Sequence, residues 1–165
     1  ESYDLNELSL CGHSMGGLIA LEMAMQKNFS VQSIILVNSI YPTRVAEPLL
    51  AKAKASNGGA ADFIIKYGLY KRLLGIKNAF SEEDDLVMLD DLEACNSYQL
   101  DLNVIKDLEI PISIILGSKD KLVDLKAVES FANTVPCKTH TVEEAGHFLF
   151  FEQPNELSKL IAQLA

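Results

Sequence analysis

Residues Leu8 to Gly17, reading Leu-Ser-Leu-Cys-Gly-His-Ser-Met-Gly-Gly, constrain the fold of this chain more than any other stretch. A short apolar run of strand type leads into Gly-x-Ser-x-Gly. Leu18, Ile19, Leu21, Met23 and Met25, with small Ala20 and Ala24, then continue it as a helix packed closely on a sheet. A strand that turns at once into a helix needs glycine where the backbone folds tightly on itself, and Gly12 and Gly16 are expected to meet that need. Ser14 projects from such a turn. The N–H of Met15 falls at the start of the helix, where unpaired amides can hold an oxyanion.

A serine hydroxyl becomes a nucleophile only with a base beside it and a third group to orient the base. The chain has three histidines. His13 lies inside the turn, too constrained to swing onto its neighbour, and reads as structural. His140 lies in Lys138-Thr139-His140-Thr141-Val142, which alternates like a strand. His147 lies in Glu144-Ala145-Gly146-His147-Phe148, a loop between that strand and a C-terminal helix, and is the candidate base. The orienting acid belongs at the C-terminal end of another strand. Ile112 to Leu116 is such a strand, and Asp120 follows it at the edge where open α/β sheets place their ligands. Asp124 is the local rival. It stands further from the strand end and is expected to cap the next helix instead.

In chain order the three residues are Ser14, Asp120 and His147. With Gly12-His13-Ser14-Met15-Gly16-Gly17, Leu116-Gly117-Ser118-Lys119-Asp120 and Glu144-Ala145-Gly146-His147-Phe148-Leu149-Phe150-Phe151-Glu152-Gln153-Pro154, the chain resembles the α/β-hydrolase superfamily, in its lidded esterase/lipase-like branch. The resemblance implies an α/β fold: a parallel sheet with flanking helices, corresponding to the C-terminal portion of the α/β-hydrolase fold, and an inserted helical cap. The core would span residues 1–42 and 104–165, and the cap 43–103. It implies a serine esterase that cleaves small or medium apolar ester or acyl substrates through an acyl-enzyme intermediate. Ser14 would attack, His147 would act as base, Asp120 would orient it, and Met15 would supply one oxyanion donor. No metal or organic cofactor is called for. Thioesterase, lactonase and carbon–carbon bond hydrolase activities share these motifs, whereas similar dehalogenases carry an aspartate at the elbow. A ligand-binding or receptor-like homologue and a catalytically incomplete fragment are the alternative readings.

From about Thr43 to Asn103 the pattern is helical. Asn57-Gly58-Gly59 reads as a turn, and Ser81-Glu82-Glu83-Asp84 as a helix start, with a hydroxyl cap and acids in the first turn. The acids of 82–85 and 90–91 read as a solvated helix face rather than a metal site. Phe63, Tyr67 and Tyr70, with Leu73, Leu74 and Phe80 further on, are candidates to line an apolar substrate pocket, as is Phe148 beside His147. The last helix is expected from Pro154, with Leu157, Leu160, Ile161 and Leu164 inward.

The net charge of −9 argues against nucleic acid and anionic membranes as partners. No run reaches transmembrane length. Three cysteines, Cys11 in a strand expected to be buried, Cys95 in the insertion and Cys137 near a strand start, lack metal spacing. They read as reduced thiols of a cytoplasmic protein. In proteins similar to this one, several strands and helices precede the elbow, with a loop that gives a second oxyanion N–H, and nothing here matches that loop. Leu8–Cys11 is therefore expected to be an exposed edge. It would pair with a missing N-terminal segment or, in a homodimer, with a second copy.

Overall fold

The computed structural model describes residues 7–26, 28, 30–57, 59–71 and 84–165. Its sheet is built from β1 (Leu8–His13), β2 (Val31–Val37), β3 (Ile112–Gly117) and β4 (Cys137–Val142). The four strands lie in the order β1-β2-β3-β4, and every neighbouring pair is parallel. Helix α1 (Met15–Met25) follows β1. Helices α2 (Glu47–Ala55), α3 (Gly59–Gly68), α4 (Asp84–Ser97) and α5 (Leu102–Lys106) lie between β2 and β3. Helix α6 (Leu125–Thr134) joins β3 to β4, and α7 (Leu149–Glu152) and α8 (Pro154–Leu164) close the chain.

Parallel strands need crossover helices, and these cover both faces of the sheet. That is why β2 and β3 are near-continuous runs of β-branched and apolar residues. Side chains alternate across the pleat. Ile34, Leu36 and Ile114 pack with Leu21 of α1 and Phe131 of α6 on one face. Ile35, Val37 and Ile115 pack with Leu149 and Leu157 on the other. A third cluster, away from the sheet, joins Leu49 and Ala53 of α2 to Ala60, with Phe63 and Ile64 of α3 and Leu92 of α4 packed against it.

Asp124 caps α6, its side chain accepting from the Lys126 N–H. Helix α8 starts at Pro154, with Leu157 buried and Leu160, Ile161 and Leu164 packed against the same cluster. Helix α7 is an addition to the sequence reading, which has only a loop there. Cys11 is exposed, not buried, because β1 is at the edge of the described sheet. Gly58, Leu73, Leu74, Gly75, Phe80 and the 81–83 helix start lie outside the described residues. Among the described residues no helix is long and apolar enough to cross a membrane.

The glycines of the turn divide differently from the expectation. A Cβ on Gly12 would lie 2.1 Å from the Gly16 carbonyl oxygen, and one on Gly17 would lie 2.2 Å from Ser39 Oγ, but one on Gly16 meets nothing within 4 Å. The crossing at Gly12 and the helix–strand approach at Gly17 therefore require the bare backbone, and Gly16 does not. Gly117, at the end of β3, is equally confined, with Gly146 O 2.3 Å from a Cβ position. Forcing a methyl group into a packed site costs about 1–3 kcal/mol. Gly12→Ala and Gly117→Ala are each expected to lose at least that much stability in urea unfolding, while Gly16→Ala stays within about 0.5 kcal/mol of the parent.

Candidate active site

All four strands run the same way, so the segments that follow their C-terminal ends gather on one side of the sheet. Ser14 follows β1 with φ 52° and ψ −123°, in the left-handed half of backbone space that a residue with a Cβ seldom enters. Such a conformation costs on the order of 1–3 kcal/mol and persists only where the surroundings enforce it. Here the Ser14 N–H donates to Val37 O at 3.0 Å, and Gly12 lets the chain cross itself. The N–H of Met15 opens α1, where the helix offers it no acceptor of its own.

Asp120 and His147 meet after β3 and β4. His147 Nδ1 and Asp120 Oδ2 are 2.8 Å apart, and both side chains are less than a tenth exposed. The other carboxylate oxygen, Oδ1, accepts the N–H groups of Leu122 at 2.7 Å and Val123 at 3.3 Å. An ionised carboxylate only accepts, so the proton of this contact sits on Nδ1. Nε2 then carries the lone pair of a base. Ser14 and His147 line one cavity of about 550 Å³, together with His13 and Met15. No hydrogen bond joins Ser14 Oγ to His147 Nε2 among the described residues.

The His147 backbone is itself gripped. Its carbonyl accepts from His13 Nε2 at 2.8 Å and from Asn38 Nδ2 at 2.8 Å. Asn38 Nδ2 also donates to Gly146 O at 2.9 Å, and Asn38 Oδ1 accepts the Gly117 N–H at 2.8 Å. Asn38 is 1% exposed, and every polar atom of its amide is used. His13 is structural, as expected, but with a definite task. Burial lowers its imidazole from 6.5 to about 4, and the His147 ring beside it acts in the same direction. The hydrogen bond to the His147 carbonyl and the Asp120 charge act the other way and are outweighed.

Of the candidate substrate residues, Phe63, Tyr67 and Phe148 line the cavity. Tyr70 does not. It lies beyond the end of α3, is 41% exposed, and its ring centroid lies 5.3 Å from Lys71 Nζ. Asn38 is the residue that sequence reading passes over. Its signal is slight: a polar side chain directly after the apolar run of β2. Among the described residues no group of three or more His, Cys, Asp or Glu is placed to hold a metal ion.

Residues 4–160 match the sequence model of the alpha/beta hydrolase family. The chain is 24% identical to a pimeloyl-[acyl-carrier protein] methyl ester esterase of Aromatoleum aromaticum, over 92% of this chain and 71% of that protein. Among solved structures it resembles a thermophilic esterase, with a TM-score of 0.80 and 20% identity over 97% of this chain. It also resembles an esterase from Exiguobacterium antarcticum, with a TM-score of 0.76 and 16% identity over 94% of this chain. The chain spans 66% and 65% of the lengths of those two structures.

The depressed His13 value has a definite linkage. Unfolded, His13 takes up a proton below about pH 6.5; folded, it resists until about pH 4. The stability held by the neutral form is complete above pH 6.5 and is lost as the pH falls through 4, a change on the order of 3 kcal/mol. Urea midpoints at pH 7 and pH 4 are expected to differ less in His13→Gln than in the parent protein. An equal difference in the two proteins rules out this role for His13.

Proposed function

Because this chain belongs to the alpha/beta hydrolase family, we propose that it is a serine hydrolase of small or medium apolar esters, with Ser14, His147 and Asp120 as its catalytic residues. The observation that carries this reading is the 2.8 Å His147–Asp120 contact on the same cavity as a serine held at positive φ. The esterase names of its relatives support it.

In this reading the ester carbonyl enters between Ser14 and the Met15 N–H. His147 Nε2 takes the hydroxyl proton as Ser14 Oγ attacks. The carbonyl oxygen becomes an oxyanion, and the Met15 N–H donates to it. His147 is then a cation, stabilised by Asp120 through Nδ1–H, and gives its proton to the departing alcohol. Water repeats the sequence on the acyl-serine. The two backbone amides on Asp120 Oδ1 keep that carboxylate turned toward the imidazole throughout. Phe63, Tyr67 and Phe148, with Ile40, Leu49 and Leu92, give the acyl or alcohol group an apolar wall. Helices α2 to α4 serve as the cap over the site. A cytoplasmic site of action belongs to the same proposal and is supported by three cysteines that are all free.

Ser14→Ala is expected to abolish labelling of the intact protein by a fluorophosphonate probe. Asp120→Asn is expected to keep the fold and lower kcat on a chromogenic short-chain ester by about 10⁴-fold, because the imidazole loses its anion and its tautomer. Equal labelling of parent and Ser14→Ala removes Ser14 as nucleophile, and full turnover in Asp120→Asn moves the acid elsewhere. Labelling without turnover favours a protein that traps its ligand.

A further inference from the structure

Glu152 stands at the end of α7, five residues after His147, and its carboxylate reaches two separate pieces of backbone. Oε2 accepts the Gly146 N–H at 2.7 Å. Oε1 accepts the N–H groups of Tyr70 at 2.7 Å and Lys71 at 2.9 Å. Tyr70 and Lys71 follow α3, which carries Phe63, Ile64 and Tyr67 of the cavity wall. Gly146 precedes His147. One charged group thus ties the wall of the cavity to the loop of the base, through three bonds of the stronger, charge-assisted kind.

The rest of the seam has the same character. The His147 N–H donates to Gly68 O, the last residue of α3. A Cβ on Gly146 would lie 2.3 Å from Gly68 O and 2.8 Å from Tyr70 N, so the two backbones touch with no side chain between them. Lys71 Nζ reaches Glu144 Oε2 at 2.9 Å, an exposed pair that adds little. The peptide groups flanking His147 are therefore held from opposite sides. Its carbonyl is bound by Asn38 and His13 from the sheet, and its N–H by α3.

We propose that Glu152 is a positioning residue that makes the alignment of His147 depend on α3 being docked. The proposal rests on the reading of His147 as the catalytic base. Without Glu152, the exposed Tyr70 and Lys71 amides turn to water and the part-buried Gly146 amide loses its acceptor, so both segments relax away from the seam. His147 then loses one of its two backbone anchors. Misplacing a catalytic group by about 1 Å costs up to about 10²-fold in rate. An acyl chain long enough to press on Phe63, Ile64 and Tyr67 holds α3 down and restores part of the loss.

Two measurements on the intact protein test this. The first is amide hydrogen exchange, which is independent of activity. In the parent, Tyr70, Lys71, Gly146 and His147 are expected to share one opening. In Glu152→Gln, which keeps the shape but turns one acceptor into a donor, the same four exchange at least about tenfold faster, while Ile35 and Ile115 in the sheet are unchanged. The second is kinetic. Glu152→Gln is expected to lower kcat on p-nitrophenyl acetate by about tenfold or more, with KM changed less than about threefold, and to lose clearly less on p-nitrophenyl hexanoate. Separate openings in the parent, or lost protection with an equal kcat deficit on both esters, overturn the proposal. A parent that takes no fluorophosphonate at Ser14 overturns the hydrolase reading instead, and exchange still decides whether Glu152 couples the two segments.

Discussion

The side-chain amide of Asn38 is the junction on which the site end of the sheet depends. Three chain segments converge there: the turn after β2, the end of β3 and the histidine loop. The Asn38 N–H donates to Ile115 O of β3, Oδ1 takes the Gly117 N–H at the end of that strand, and Nδ2 serves both Gly146 O and His147 O. These groups are buried, so each would carry a desolvation cost of about 1–3 kcal/mol if left alone. Only an amide side chain offers the acceptor and the two donors this arrangement uses. Its backbone at φ 43° is one that asparagine tolerates better than other residues with a Cβ. The end of β3 and the sheet side of the histidine loop are therefore tied together through the residue that follows β2, not by their own local preferences.

What was legible in the sequence follows from how local each feature is. The turn at Ser14 is written into ten consecutive residues, because strand, glycine and helix must adjoin to make it. Asp120 and His147 are legible because parallel strands deliver their following loops to one side, so the position of a residue after a strand is nearly its position in space. Asn38 and Glu152 escape the same reading because their partners are distant in the chain: Gly146 lies 108 residues from Asn38, and Tyr70 lies 82 residues from Glu152. Nothing in a window of ten residues reports such contacts.

The other differences have the same physical origin. Tyr67 and Tyr70 look alike in an apolar helical stretch, but α3 stops at Gly68, and the residue after the stop no longer follows the helix periodicity. Gly12, Gly16 and Gly17 look alike in the motif. What separates them is which backbone or side chain crosses close by, a property of strand–helix packing. Cys11 is apolar enough for a buried strand and is exposed because its strand is at an edge.

Part of the cavity wall is made of residues adjacent in the chain to Ser14, Asp120 and His147. Met15 adjoins Ser14, Phe148 adjoins His147, and Leu122 and Val123 both line the cavity and hold Asp120 through their amides. Leu49 of α2, and Leu92 and Cys95 of α4, line it from helices at a remove from those bonds. An engineer who reshapes the wall near the loops alters shape and chemistry in one stroke. The α2 and α4 positions separate the two: a smaller or larger side chain there resizes the chamber and leaves Ser14, Asp120 and His147 anchored where they are. Libraries aimed at new substrates belong at those three positions first.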